Sequence, residues 1–101
     1  MAGLSYGEIY RRKGNETTKV IASVSQPVAA DQSEWYSIII LRGLGQDVEQ
    51  KIFGASSLQA VELAILNLNS LVKSRIESEK CSILIDVGNG QKEEIDSSFF
   101  G

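Results

Sequence analysis

From residue 58 onward the apolar positions of the chain fall three and four apart: Leu58, Val61, Ile65, Leu68, Val72 and Ile76. At about 100° per residue, these six lie within an arc of about 80°. The spacing predicts one long amphipathic helix over residues 57–77. Gly54 releases the preceding segment, and Ser56-Ser57-Leu58-Gln59 fits a capping box with Ser56 as N-cap and Gln59 at N3. Such a helix is about 30 Å long, enough to cross a four-stranded sheet. Leu63 and Leu66 point about 120–180° away from the centre of the arc, among polar residues. Three things could cover that pair: the chain's own C-terminal residues Ile95, Phe99 and Phe100, a second copy, or a different protein.

Before and after the helix the period is two. Residues 6–12 read as a first strand ended by the turn Lys13-Gly14-Asn15, and residues 17–24 as a second, β-branched one. Pro27 and the polar residues through Ser33 read as a loop. Residues 34–42 give the strongest strand, with Trp35, Ile39 and Leu41 on one side and Tyr36, Ile38 and Ile40 on the other. A strand apolar on both sides is expected to be central and covered on both faces. Gly43-Leu44-Gly45-Gln46-Asp47 turns the chain into a strand over 48–53. Beyond the helix, residues 82–87 form a strand that turns at Gly88-Asn89-Gly90 into a short partner over 91–95. The expected fold is α+β: a largely antiparallel sheet, begun as a four-strand meander, with one long amphipathic helix across a face and one or two C-terminal strands.

Composition narrows the chemistry more than the fold. The chain has 101 residues, suiting a single domain over 1–101, with one Cys and no His. The commonest general base and the commonest metal ligand are therefore missing, and neither a CxxC site nor an internal disulfide can form. Cys81 opens an apolar run and reads as a small core residue. No apolar stretch approaches the roughly 20 residues that span a bilayer, and no signal peptide pattern opens the chain, so a cytoplasmic location without a membrane partner is expected. The net charge of −3 is uneven: +2 over residues 1–30, −1 over 31–76 and −4 over 77–101. An acidic end disfavours nucleic acid and suits a basic protein partner.

No catalytic set emerges. Gly43-Leu44-Gly45 has Val48 where a dinucleotide fingerprint needs its third Gly, and it joins two strands. Gly54-Ala55-Ser56-Ser57 meets a helix start, but capping explains it and no Gly-Lys-Ser/Thr follows. Ser70-Leu71-Val72-Lys73 falls late in the helix, Glu93-Glu94 lies beyond a turn, and Asp86, Asn89 and Asp96 lack calcium-loop spacing. The expectation is a protein that is not an enzyme, with no cofactor and no metal.

The run Trp35-Tyr36-Ser37-Ile38-Ile39, then Gly43, then Ile52-Phe53-Gly54-Ala55-Ser56-Ser57-Leu58-Gln59-Ala60 through Ile65 resembles a family of small uncharacterised bacterial proteins. In that family a Trp-bearing strand leads through a hairpin into a helix start of the form Gly-x-Asp-Ser-x-Gln-Ala-x-x-Leu-Ala. The resemblance covers about a third of the chain. Ser56 stands where the family often has Asp, and either residue can cap. The resemblance implies the fold and brings no catalytic residues. In type, a small acidic chain without catalytic groups also resembles the immunity proteins of contact-dependent growth inhibition and other polymorphic toxin systems. That likeness implies a non-catalytic module that binds and neutralises a cognate toxin domain, such as a basic nuclease. The contacts expected on that reading are Glu79, Asp86, Glu93, Glu94 and Asp96, with Trp35 and Tyr36 as anchors. The rival expectations are a homodimer formed through Leu63 and Leu66 and, further off, a small ligand-binding domain.

Overall fold

The computed structural model describes residues 4–5, 9–88 and 90–95. The strands in chain order are β1 (Leu4–Ser5), β2 (Ile9–Lys13), β3 (Glu16–Val24), β4 (Val28–Asp31), β5 (Glu34–Arg42) and β6 (Val48–Gly54). The helix α1 (Ser57–Glu79) follows, and then β7 (Ser82–Gly88) and β8 (Gln91–Ile95). The class is α+β, as the periodicities predict, and every strand pairing among the described residues is antiparallel. β2, β3, β5 and β6 lie side by side in chain order as the four-strand meander. After the helix, β7 returns to the far side and pairs with β2, and β8 forms the outer edge.

One predicted loop is a strand. The backbone N–H of Ser25 donates to the carbonyl of Ile38 at 2.9 Å, and the Ser25 hydroxyl accepts from the Ile38 N–H at 2.8 Å. The hydroxyl thus stands in for a backbone carbonyl as the acceptor of the Ile38 N–H where the ladder is interrupted before Pro27. β4 then resumes pairing with β5, Val28 opposite Tyr36 and Ala29 opposite Trp35. The chain reverses where the Ser33 N–H donates to the Asp31 carboxylate at 2.9 Å. β3 and β4 together act as one interrupted neighbour of β5, which is central as expected, with β6 on its other edge.

The helix begins at the predicted N-cap, with Gln59 reaching back one residue further than a capping box does. Ser56 is extended and its hydroxyl accepts from the Gln59 N–H at 3.1 Å, while the Gln59 side chain accepts from the Ala55 N–H. It ends two residues later than the pattern suggests, where Lys80 adopts the left-handed conformation (φ 52°) and its N–H reaches the Ile76 carbonyl. The helix does not cross the strands; it runs lengthwise, antiparallel to β6. Its start follows the end of β6 at Gly54, and its late residue Arg75 donates to the carbonyls of Leu44 (3.2 Å) and Gln46 (2.7 Å) in the loop that opens β6. About 27 Å of helix thus lies along about 23 Å of strand. Leu44 of that loop is itself fully buried.

The buried residues of the helix are Ala60, Ala64, Leu68, Val72 and Ile76, each four apart. A row with this spacing winds about 40° around the helix per step, so the core-facing side is not the fixed arc that the sequence suggests. The predicted arc holds for Leu68, Val72 and Ile76. It fails at the first turn, where Leu58 is 66% exposed. The reason is a close approach of two backbones. A Cβ on Gly54 would lie 2.5 Å from the Ala60 nitrogen and 2.9 Å from the Ala60 Cα. With the helix axis this near the strand, only Ala60 and Ala64 fit between them, and the larger Leu58 is turned outward. The core that results joins Val20, Ala22 and Val24 of β3, Ile39 and Leu41 of β5, and Ile9 and Ile83 beyond.

Gly54→Ala therefore places a methyl group inside the helix backbone and is expected to cost about 2 kcal/mol or more. The measurement is the urea unfolding midpoint at constant m. Leu58→Ala, although it alters the first residue of the predicted stripe, is expected to change stability by less than about 0.5 kcal/mol.

Candidate functional site

Strand alternation assigns each side chain of the sheet to the helix-covered face or to the opposite one. On β5, Ser37, Ile39 and Leu41 are buried under the helix, while Tyr36, Ile38 and Ile40 alternate with them on the other face. Ladder partners extend that second face: Phe53 opposite Tyr36, Lys51 opposite Ile38, Glu49 opposite Ile40, Val28 opposite Tyr36, and Ile21 opposite Arg42. No described element packs over it. The sequence expectation that β5 is covered on both faces is corrected here, because the single helix occupies one face only. Ile21 (48%), Phe53 (47%) and Val28 (43%) are the large apolar side chains it exposes. About half of each remains in water, so covering each one contributes roughly 1 kcal/mol.

The centre of this face is organised. The rings of Tyr36 and Phe53 meet at 5.7 Å between centroids with planes tilted by 54°, and the Lys51 ammonium sits 4.7 Å above the Tyr36 ring. Further along the same face Lys92 lies 5.1 Å above the Tyr10 ring, Arg12 pairs with Glu94, and Arg42 pairs with Glu49 at 3.3 Å.

The carboxylates singled out from the sequence are not gathered into one surface. Glu93 and Glu94 are adjacent on β8 and so point to opposite faces; Glu94 is engaged by Arg12, across the sheet. Glu79, at the end of the helix, lies 4.0 Å from Arg11 on the helix side. Asp86 is on β7, opposite Lys92 in the ladder, and Asp96 lies outside the described residues, as do Phe99 and Phe100. Trp35 and Tyr36 are likewise split, Trp35 toward the helix and Tyr36 on the open face. Leu63 (36%) and Leu66 (63%) face outward as the pattern predicts. Ile95 packs against the core and does not cover that pair. What the sequence reading missed is Phe53, Ile21 and Val28. Their signal was present in the alternation of β3 and β6, but it becomes a surface only when pairing puts three strands in register.

Two buried polar atoms among the described residues have no partner, Arg11 Nε and Ser37 Oγ, and both belong to the helix-covered side. Among the described residues no group of three or more Cys, Asp or Glu side chains is placed to hold a metal ion, and no helix is long and apolar enough to cross a membrane. No family model, no curated protein and no solved structure matches this chain.

Cys81 follows the helix, half-buried against the core as its position in an apolar run suggests. Burial raises its thiol pKa above the usual value, opposed by the nearby Arg11 charge. Less thiolate is present at neutral pH than in a free cysteine. Alkylation of the folded protein is expected to be slower than that of the urea-unfolded chain at pH 7.5, and its rate should rise at higher pH than for a free thiol. Timed mass spectrometry of the iodoacetamide adduct reads both.

Proposed function

We propose that this chain is a non-catalytic protein-binding module, and specifically an immunity protein that neutralises a cognate toxin domain by covering its working surface. The observation that carries the reading is the open face of the sheet. A central strand apolar on both sides buries one side under the helix and leaves Tyr36, Phe53, Ile21 and Val28 for another molecule. A standard protein interface takes about 800 Å² per partner, and the face spanned by β3, β5 and β6 is of that order. Its aromatic pair has the character of a binding anchor, and the charged pairs around it that of a selective rim. Immunity is the finer part of the proposal. It is supported by small size and by the absence of His, and it places the action of the protein in its partner.

The test is direct. The C-terminal domain of the protein encoded beside this chain, purified without it, is expected to bind with a one-to-one stoichiometry by calorimetry and to lose its toxic activity in the complex. Tight binding without inhibition would leave a binding module that is not an immunity protein. Full toxic activity at saturating concentrations, with no heat of binding, would overturn the proposal.

A second reading draws on the outer side of the helix. Leu63 and Leu66 are exposed there, which suits self-association of two helices. Sedimentation at micromolar concentration is expected to show a dimer on this reading, converted to monomer by Leu66→Glu. A wild-type monomer rejects it.

A further inference from the structure

One long edge of the sheet ends in backbone groups that no strand receives. β6 pairs with β5 on one side, and no described strand pairs with its other side. The direction of its peptide groups follows from β5. The Ser25 N–H donates to the Ile38 carbonyl and the Ile38 N–H donates to the Ser25 hydroxyl, so the backbone of Ile38 faces β3. Alternation turns the backbones of Ser37, Ile39 and Leu41 the other way, onto their ladder partners Ile52, Gln50 and Val48. Glu49, Lys51 and Phe53 therefore direct both N–H and C=O away from the sheet. Proteins blunt such edges with a proline, a bulge, a covering element or a charge. β6 has no proline, no shift of register against β5, and no described element outside it. Its two charges, Glu49 and Lys51, have opposite signs and stand two residues apart, so they oppose most strands but complement a second copy of themselves.

We propose that the free edge of β6 pairs antiparallel with β6 of a second copy, about a two-fold axis at Gln50, and joins two sheets into one. In that register Glu49 stands opposite Lys51 of the second copy, and Lys51 opposite its Glu49. Both pairs consist of outward-facing residues, so each exchanges two N–H···O=C bonds. On the helix-covered face Val48 meets Ile52 of the second copy. An axis one residue earlier places Glu49 opposite its own like, and one residue later does the same to Lys51, each of which is destabilising. Glu49 and Lys51 keep their contacts with Arg42 and with the Tyr36 ring; their part in the pairing is to select the register, and the backbone bonds hold the strands together. The helix adds a second feature on the same side. In a right-handed helix that runs antiparallel to β6 above the sheet, the residue before each buried one turns toward the free edge, and the residue after it turns toward β3. Gln59, Leu63 and Asn67 on the edge flank are exposed, whereas Val61, Ile65 and Lys73 on the other flank are half-buried. Across the axis the two helices lie antiparallel, two to three strand spacings (about 10–14 Å) apart, with Leu63 and Asn67 between them. One partner thus satisfies the edge and covers Leu63. Leu66 points straight out from the sheet and takes no part.

The experiment is sedimentation velocity on the full chain at micromolar concentration, where a dimer is expected. Glu49→Lys and Lys51→Glu should each weaken it about tenfold, since each reversal acts on two symmetry-related pairs. The double variant Glu49→Lys/Lys51→Glu should restore the wild-type affinity, and Leu66→Glu should leave it unchanged. Lys51→Pro removes an N–H that faces away from β5, so it is expected to abolish the dimer while circular dichroism shows a folded monomer. If that variant unfolds, the charge variants decide. Gln50→Cys is expected to form an intermolecular disulfide under mild oxidation, because an axis at residue 50 brings the two copies of that position together; peptide mapping separates this bond from any made by Cys81. A wild-type monomer, a dimer indifferent to a folded Lys51→Pro, or a charge swap that fails to restore affinity would each overturn the proposal. A dimer lost in Leu66→Glu and unchanged in the edge variants retains helix self-association and overturns the edge pairing.

Discussion

The contact on which the rest of the structure depends is the seating of the first helical turn on the backbone of β6. Gly54 has no side chain, and the space that a Cβ would need is filled by the backbone of Gln59 and Ala60. Because the two backbones are this close, Ala60 and Ala64 become the residues that fit beneath the helix, and Leu58 in its first turn stays exposed. The capping interactions of Ser56 and Gln59 fix where the helix starts. Arg75, bound to two carbonyls of the loop between β5 and β6, fixes where its far end lies. Between these two points the helix has only one course, along β6 and over β5.

That course determines what is left uncovered. A helix laid along the strands shields one face of three neighbouring strands, and none of the described elements reaches the other face. β5 carries apolar side chains on both sides, so the face away from the helix retains Tyr36, Ile38 and Ile40, joined by Phe53, Ile21 and Val28 from its neighbours. The same geometry leaves Leu58 exposed at the first turn, apart from the outward pair Leu63 and Leu66. The sheet face carries aromatic rings and lysines; the outward pair on the helix is aliphatic among polar residues.

Much of this was legible in the chain. The β5 strand, the capping box, the hairpin at Gly43–Asp47 and the β7–β8 pair follow from period, turn residues and cap chemistry, all of which act over a few residues. β4 was not legible, because Pro27 and a polar run signal a loop, and the ladder is rescued only by the Ser25 hydroxyl reaching Ile38 thirteen residues away. The first turn of the helix was misread because alanine carries little weight in a hydrophobic pattern, although here it marks close packing. For the candidate site, Tyr36, Ile38 and Ile40 were legible as one side of β5, and their partners on β3, β4 and β6 were not.

The sequence by itself determined the class of fold, the place and start of the helix, the absence of histidine chemistry and the outward direction of Leu63 and Leu66. These depend on local periodicity and on residue identity, which need no partner to be expressed. Only the tertiary structure decided which face of the sheet the helix covers, and therefore which apolar residues remain exposed. It also decided how charge is displayed. Neighbours in sequence such as Glu93 and Glu94 are sent to opposite faces, while Lys51, Arg42 and Lys19, far apart along the chain, meet on one. The physical reason is the two-residue period of the strand combined with antiparallel register: alternation separates what is adjacent, and pairing assembles what is distant.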